Sequence, residues 1–423
     1  MCLKAFILGG MQNPLRILLL ILSGEAIFLL PFVLARVFRP TFLAVFELSN
    51  TQLGSCYSLY GIVALICYFL GGTVADHFPP RKLMALALFL TALGGFYMYT
   101  LPSFEALRLL YAYWGFTSIF LFWSAMIKAT RAWGGQAHQG KAFGFLEGGR
   151  GFFAASLGTL GVLIFAWVIP SEIGTISLGE RQEAFRWVIL AASFFCAGIG
   201  LLLWLFFQDP KQETVGDTKG LGSWTDIKKA FSNSSVRYLM LIVLSASIGY
   251  KVTDVFSLYA SEIMLFDEVD AAKVGSYQMY LRPFICVLVG FFADRTSNAL
   301  VLCYAFACML LGALLFATGW VVEPAIGLFI LTLVITALGT YALRAVYFAT
   351  MEEGKIPFAI TGTAVGLISL VGYTPDIFVG PIMGFFLDGS PGIWGHQQLF
   401  LFLATFSLIG LYASYRFMKI IRK

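Results

Sequence analysis

Twelve apolar runs, each about as long as a bilayer is thick, recur along the 423-residue chain. A membrane-spanning helix needs about 20 predominantly apolar residues. The runs lack the alternation of barrel strands, and only helices and closed barrels satisfy the backbone within lipid. The pattern therefore predicts an all-α polytopic membrane protein with twelve transmembrane helices. The runs lie near 15–37, 50–74, 83–101, 106–130, 142–168, 184–207, 236–263, 273–293, 300–320, 325–350, 359–386 and 397–418.

The composition supports a membrane protein over a soluble one. Hydrophobic residues make up 59% of the chain and charged residues 12%, whereas soluble domains have about 45–50% apolar and about 25% charged residues. A soluble protein this apolar could not cover its surface with polar groups. The excess apolar surface must therefore face lipid.

The positions of the basic residues predict the topology. Of the 28 Lys and Arg residues, eighteen fall on the predicted side of both termini and six on the opposite side, while four lie within spans. The excess of basic residues in cytoplasmic loops places both termini in the cytoplasm, which requires an even number of spans. This topological role explains the basic charge better than nucleic-acid binding does.

A polar segment at 208–237 divides the apolar runs into six and six. It predicts an N-terminal six-helix bundle over 1–207, a cytoplasmic linker, and a C-terminal six-helix bundle over 238–423. Within the linker, 224–231 is predicted to form a short helix at the inner membrane surface. Each half also has a G-x-x-x-D sequence at a predicted inner helix end, at 72–76 and 290–294. Two such half-repeats are typical of transporters.

Residues 71–82, GGTVADHFPPRK, resemble the loop signature of the major facilitator superfamily, roughly G-x-x-x-D-R-x-G-R-R. Asp76, Arg81 and Lys82 match its acidic and basic ends, while His77 replaces the usual Arg and a Pro-Pro pair displaces the Gly and an Arg. A degenerate copy lies at 290–295. The resemblance implies the major facilitator fold, a transporter of the bacterial cytoplasmic (inner) membrane, and a conformational latch that comprises Gly72, Asp76, Arg81, Lys82, Gly290, Asp294 and Arg295.

Two further stretches, 49–70 and 121–150, are similar to uncharacterised bacterial members of this superfamily. These members group near the nitrate/nitrite branch and near the organophosphate or organic-anion branch. The resemblance covers nearly the whole chain, but it does not identify the substrate.

Nine ionisable residues fall at predicted membrane depth, where each costs about 2.5–3.5 kcal/mol on insertion scales. Because five are basic and four acidic, the balance favours an anionic substrate. Arginine binds carboxylate or phosphate bidentately, so Arg282 and Arg344 are predicted to hold such a group. The basic residues are Lys128, Arg150, Lys251, Arg282 and Arg344, and the acidic ones are Glu25, Glu147, Asp254 and Asp376. The further predicted substrate-binding residues are Lys128, Lys251, Tyr280 and Tyr347.

Structural alternatives remain open for these groups. Glu147 and Arg150 are three residues apart and can neutralise each other on one helix face, and Lys251 and Asp254 have the same spacing. Lys128 can extend to the inner interface. The predicted anion-binding arginines can instead pair across helices with Asp376 or Glu25.

Glu25 is the leading candidate for proton coupling, because a carboxyl group at low dielectric can exchange protons near neutral pH. Its alternative role is a fixed counter-ion for a basic residue. Asp376 follows Thr374-Pro375, where a helix break is expected. The remaining candidates for coupling or counter-ion roles are Glu147, Arg150 and Asp254.

The function predicted from these observations is secondary active transport of a small polar, anionic metabolite by alternating access, with a proton as the candidate coupling ion. The predicted partners are this substrate and the bilayer, with no nucleic acid, and the chain is expected to be a monomer. No nucleotide loop, Ser/His/Asp set or metal cluster is visible, so no enzyme activity, metal or cofactor is expected. The alternatives are export of an amphipathic compound or lipid, and a non-transporting sensor on the same fold.

Overall fold

The computed structural model describes residues 14–134, 139–169, 176–209, 224–347, 350–354 and 361–421. Within these ranges the chain is helical and contains no strand. Eleven helices there are long and apolar enough to cross a membrane. A further helix, Asn50–His77, is 28 residues long, and at 1.5 Å rise per residue it exceeds the ~30 Å hydrocarbon core. The all-α membrane fold predicted from the apolar runs is thus confirmed.

The chain divides into two compact units. Unit 1 comprises residues 1–48, 55–213 and 275–279, and unit 2 comprises 49–54, 214–274 and 280–423. The helices from the N-terminus to the end of the sixth long helix are α1 (Pro14–Val37), α2 (Arg39–Val45), α3 (Asn50–His77), α4 (Pro80–Tyr99), α5 (Phe104–Gly134), α6 (Gln139–Val168) and α7 (Leu178–Phe206).

The second half begins with the short helix predicted in the linker, which is confirmed as α8 (Trp224–Ser232). The helices that follow are α9 (Ser234–Glu262), α10 (Glu268–Arg295), α11 (Asn298–Ala317), α12 (Ile326–Val346), α13 (Thr350–Glu353), α14 (Thr361–Gly372), α15 (Pro375–Gly389) and α16 (Ile393–Ile421).

The two units repeat the same internal helix pairing. In unit 1, α4 packs most extensively on α7, and α1 packs on α6. In unit 2, α11 packs on α16, and α9 packs on α14. These pairs occupy corresponding positions in their halves, as the sequence repeats predict for pseudo-symmetric bundles.

Buried apolar and aromatic side chains form the core of unit 1. Trp114 and Trp133 are fully buried and belong to this packing. The Trp114 indole donates to the carbonyl oxygen of Thr91 at 3.2 Å, because a buried indole N–H needs an acceptor. A Cβ at Gly94 would overlap this indole, so the glycine permits the close contact between α4 and α5.

Two segments of unit 1 depart from α-helical geometry. Leu29–Val33 in α1 and Phe116–Trp123 in α5 are π-helical. The first contains Pro31, which has no N–H to donate to the preceding turn. These π-helical turns widen the backbone next to Phe28, which precedes the first segment, and at Trp123, which ends the second.

Carboxylate groups contact the first turns of the two helices that follow the predicted latch loops, α4 and α11. Asp209 accepts from the backbone N–H of Arg81 at 2.9 Å, near the start of α4. Glu353 accepts from the backbone N–H groups of Asn298 and Ala299 at 2.7 and 3.1 Å, at the start of α11. A carboxylate therefore caps the same helix of each half, where free N–H groups favour negative charge.

The remaining latch residues can be placed only in part. Arg81 also lies 3.7 Å from the second oxygen of Asp209. Lys82 and Arg295 are exposed, and open space surrounds the Cβ position of Gly290. The structure does not describe the surroundings of Gly72, Asp76 and Asp294, so the latch remains a prediction.

The contact between α11 and α12 yields a test of this packing. A Cβ at Gly339 would lie 2.6 Å from the carbonyl oxygen of Ala305, closer than any relaxed side chain. We expect Gly339→Ala to destabilise the protein by about 1–3 kcal/mol, the usual cost of overpacking. Gly327 on the same helix has nothing within 4 Å, so Gly327→Ala is the matched control. Thermal unfolding in detergent should show a lower midpoint for Gly339→Ala alone, and equal midpoints would contradict the contact.

Candidate functional site

One charged cluster of unit 1 centres on Arg150 of α6. Its Nη1 lies 2.7 Å from Glu147 Oε1, and its Nε lies 3.5 Å from Glu25 Oε2. The Glu25 side chain is 6% exposed and that of Glu147 41% exposed. The structure contains the ion pair that the spacing of Glu147 and Arg150 predicts, and Glu25 contacts the same guanidinium. Two carboxylates thus share one guanidinium.

Two aromatic rings and a backbone carbonyl complete the surroundings of Arg150. The guanidinium carbon lies 5.3 Å from the Phe28 ring centroid and 5.9 Å from that of Trp123, within cation–π range. Its Nε donates to the carbonyl oxygen of Gly24 at 3.0 Å. A Cβ at Gly24 would come within 3.1 Å of the Arg150 side chain, so the glycine makes room for the arginine.

Lys128 has a local partner in unit 1. Its ammonium donates to the carbonyl oxygen of Ala75 at 2.7 Å. Ala75 lies in the last turn of α3, where carbonyl groups lack helical partners and favour a cation. The contact therefore favours a helix-capping role for Lys128, and its predicted role in substrate binding stays untested.

Unit 2 holds a group of polar and aromatic side chains from α9, α12 and the junction of α14 and α15. Three contacts between helices link its members: Lys251 Nζ to Asp376 Oδ1 at 2.8 Å, Arg344 over the Tyr250 ring at 4.1 Å, and the Tyr347 and Tyr373 hydroxyls at 3.4 Å. The two members from each element are one or three residues apart in the sequence. We call this set the polar ring: Tyr250, Lys251, Arg344, Tyr347, Tyr373 and Asp376.

Arg344 has the geometry of an anion-binding residue. Its guanidinium stacks on the face of Tyr250 at 4.1 Å from the centroid, and the residue is only partly buried. Stacking orients the guanidinium plane and leaves its N–H edges free of the ring, and those edges match a carboxylate or phosphate bidentately. No acidic residue lies within four positions of Arg344 on its own helix.

Lys251 has an ion-pair partner on another helix. This partner, at 2.8 Å, is Asp376 in the first turn of α15. Asp254 is buried in a 3₁₀ turn, Thr253–Val255, and its predicted pairing with Lys251 stays a prediction. The expected helix break before Asp376 is confirmed, because α14 ends at Gly372 and α15 begins at Pro375.

The other predicted substrate-binding residues lie on α10. Arg282 is 7% exposed and precedes the internal Pro283, and Tyr280 is partly buried. The contacts that define the polar ring include Arg344, Tyr347, Lys251 and Asp376 of the predicted set, and the roles of Arg282 and Tyr280 in substrate binding stay predictions.

Several residues of these two sites were missed by sequence reasoning. Phe28 and Trp123 contact Arg150, while Tyr250 and Tyr373 belong to the polar ring. Sequence signals existed for two of them, since Phe28 is three residues from Glu25 and Tyr250 precedes Lys251. Ser247 was also missed; its hydroxyl, one turn before Lys251, is buried without a hydrogen-bond partner among the described residues.

Two curated relatives are similar over most of the chain, both from Escherichia coli K12. Inner membrane protein YqcE is 26% identical over 381 residues, which cover 88% of this chain and 87% of the relative. Inner membrane protein YihN is 27% identical over 414 residues, which cover 95% and 94%. Together with the long apolar helices, these relatives identify a multi-pass integral protein of the inner membrane.

Solved transporter structures share the fold. A bacterial homologue of the human lysosomal transporter Spinster superposes with a TM-score of 0.73 at 15% identity, covering 95% of this chain and 96% of that one. The nucleoside transporter NupG gives 0.69 at 17%, covering 97% and 100%. The xylose transporter XylE from E. coli gives 0.70 at 16%, covering 96% of both chains.

The family pattern described as the Major Facilitator Superfamily matches residues 21–381, which is most of the chain. It agrees with the all-helical fold, the repeated helix pairing and the transporter structures that share them. The chain is thus a transporter rather than an enzyme, and it belongs to the Major Facilitator Superfamily.

Proposed function

We propose that the protein is a secondary active transporter of a small anionic metabolite that carries a carboxylate or phosphate group. The observation that supports this proposal most strongly is the stacking of Arg344 on Tyr250 within the polar ring. Lys251 and Asp376 form an ion pair beside it. Arg344 contributes a planar guanidinium, which can bind a carboxylate or phosphate group bidentately.

The hydroxyl groups near Arg344 suit the rest of such a metabolite. The Tyr347 and Tyr373 hydroxyls lie 3.4 Å apart, and each can donate or accept a hydrogen bond. Small-molecule sites combine apolar walls with a few polar groups that fix orientation. In the polar ring, the three tyrosine rings provide apolar surface. The Lys251–Asp376 ion pair and the Arg344 guanidinium stacked on Tyr250 provide the polar groups.

We further propose that transport is coupled to protons through Glu25 and proceeds by alternating access. The Arg150 cluster supports the coupling, because the Glu25 carboxylate is only 6% exposed and lies 3.5 Å from the Arg150 guanidinium. Protonation of Glu25 would change this ion pair. Repeated six-helix units such as these are the architecture that alternating access uses.

A ligand screen by thermal shift tests the proposed substrate class. The purified protein would be heated with organic acids, sugar phosphates, amino acids or inorganic anions, and with neutral analogues of each hit. A bound ligand at 100 times its Kd stabilises the folded state by about 2.7 kcal/mol, so one or more anions should raise the unfolding midpoint. Stabilisation by neutral or amphipathic compounds and by no anion would contradict the proposal and favour export of an amphipathic compound.

A further inference from the structure

The last two turns of α16 carry tyrosines and basic residues along one face. Tyr412, Tyr415, Arg416 and Lys419 follow the i, i+3, i+4, i+7 spacing that places helical side chains on one side. All four are exposed. The opposite face is fully buried within unit 2 through Ala413, Ser414 and Phe417. The exposed face, which we call the Tyr–Arg–Lys stripe, therefore points away from the core of its unit.

Contacts within the stripe hold its two cations on aromatic rings. Arg416 Nη1 donates to the Tyr412 hydroxyl at 2.9 Å, and its guanidinium carbon lies 6.0 Å from the ring of Tyr238 on α9. Lys419 Nζ lies 4.5 Å from the Tyr415 ring. A groove of about 420 Å³ runs along these residues and Ile420. Stacking orders both side chains before any ligand arrives.

The charge around the stripe is one-sided. Neither α16 nor residues 234–252 of α9 contain an Asp or Glu. Arg237, which precedes Tyr238, is exposed and adds a third basic residue at this end of α9. Elsewhere, exposed basic residues such as Arg108 and Lys273 contact an acidic residue three positions before them. The stripe thus presents positive charge that neither α16 nor residues 234–252 of α9 offset with an acidic residue.

The length of α16 places the stripe at the membrane boundary. The helix has 29 residues, or ~44 Å at 1.5 Å per residue, against a hydrocarbon core of ~30 Å. Its last turns therefore extend into the lipid headgroup region. Tyrosine is enriched there, and Lys and Arg are attracted to anionic headgroups by about 1 kcal/mol each.

We propose that the Tyr–Arg–Lys stripe binds an anionic phospholipid, with Arg416 and Lys419 on its phosphodiester group. The tyrosine rings and Ile420 offer apolar surface to the glycerol backbone and the start of an acyl chain. A free phosphate ion has no counterpart for this apolar surface, so the stripe selects a lipid. The site belongs to the leaflet on the C-terminal side and is separate from the polar ring.

Native mass spectrometry of the full chain in mild detergent tests the proposal. The protein would be given dioleoylphosphatidylglycerol or dioleoylphosphatidylcholine at equal concentration. At about 1 kcal/mol per basic residue, the wild-type protein should retain phosphatidylglycerol about 25-fold more strongly than phosphatidylcholine. The double variant Arg416→Gln/Lys419→Gln should lose this preference. The matched double variant Arg108→Gln/Lys273→Gln, which removes two exposed charges with local carboxylate partners, should keep it.

Each outcome of this experiment bears on the proposal. Equal retention of the two lipids by wild type would overturn it, and so would undiminished preference in Arg416→Gln/Lys419→Gln. Loss of bound lipid on adding millimolar inorganic phosphate would assign the site to a free anion and also overturn it. The variants are compared only as monodisperse, helical preparations, and Arg416→Lys/Lys419→Arg, which keeps both charges, should retain the lipid and exclude a folding artefact.

Discussion

Replacing Arg344 by glutamine is expected to weaken binding of the anionic substrate about 10- to 100-fold and to abolish its uptake. The variant loses a charge-assisted, bidentate interaction worth about 1.5–3 kcal/mol. It keeps a planar group that can still rest on Tyr250, which lies 4.1 Å from the native guanidinium. Binding would be measured by the concentration dependence of the thermal shift, and uptake by flux into proteoliposomes.

Three further variants distinguish the effect of the charge, the effect of stacking on Tyr250 and the effect of changing an arginine elsewhere. Arg344→Lys keeps the charge but not the planar fork, so we expect an intermediate loss. Tyr250→Leu removes the ring under the guanidinium, and binding should fall about 2- to 30-fold, the range that a cation–π contact supports. Arg108→Gln alters an exposed arginine paired with Glu105 and should leave binding unchanged. Undiminished uptake by Arg344→Gln would contradict the assignment of this residue.

Arg282→Gln provides an independent comparison. Arg282 is predicted to share the anion with Arg344, and it lies buried on α10. If it binds substrate in another step of the cycle, Arg282→Gln should also abolish uptake. Full transport by Arg282→Gln combined with loss in Arg344→Gln would confine the anion site to the polar ring.

The extent to which sequence predicted these sites depends on how far apart the partners lie in the chain. Spans follow from local hydrophobicity, and the Glu147–Arg150 pair follows from the three-residue spacing on one helix face. The Lys251–Asp376 pair depends on how α9 packs against α15. No periodicity within either helix indicates which residues of the two helices will face each other. The sequence therefore did not determine which acidic residue pairs with Lys251.

Stacking contacts were harder to predict than ion pairs. An ionisable residue within a span is conspicuous because it is rare and costly. A tyrosine or tryptophan within a span is common in this chain, which has 18 Tyr, 9 Trp and 42 Phe residues. Tyr250 and Trp123 therefore gave no signal above that background until the fold placed them against Arg344 and Arg150. The π-helical turn that ends at Trp123 likewise has no simple sequence signature.

Glu25→Gln is expected to abolish substrate accumulation driven by a pH gradient while leaving substrate exchange intact. Glu25 lies 3.5 Å from Arg150 Nε and is 6% exposed, and an ionised carboxylate is costly at such low exposure. Glu147 is 41% exposed, so water screens its charge, whereas Glu25 is 6% exposed. Protonation of Glu25 therefore removes the more costly of the two negative charges. Glutamine imitates that protonated state permanently, so the variant can fold and bind but cannot release the proton.

Proteoliposomes with an imposed pH difference of one unit provide the measurement. Such a difference corresponds to about 1.4 kcal/mol per proton, enough for about tenfold accumulation of a substrate moved with one proton. Wild type should approach this ratio, and Glu25→Gln should remain near one while still exchanging labelled substrate for unlabelled. Glu105→Gln, at an exposed partner of Arg108, is the matched control and should accumulate normally. Accumulation by Glu25→Gln equal to wild type would rule out Glu25 as the coupling group.

Arg150→Gln tests the same cluster from its cationic side. Removing the shared guanidinium leaves two carboxylates without their common cation, and breaking a buried ion pair in this way costs about 3–5 kcal/mol. We therefore expect a strongly lowered unfolding midpoint for Arg150→Gln. The double variant Arg150→Gln/Glu25→Gln removes the more buried carboxylate as well and should recover part of the stability, because the remaining Glu147 is partly exposed. If the two substitutions destabilised the protein additively, Glu25 and Arg150 would be energetically independent. The Glu25–Arg150 ion pair on which the proposed proton coupling depends would then be contradicted.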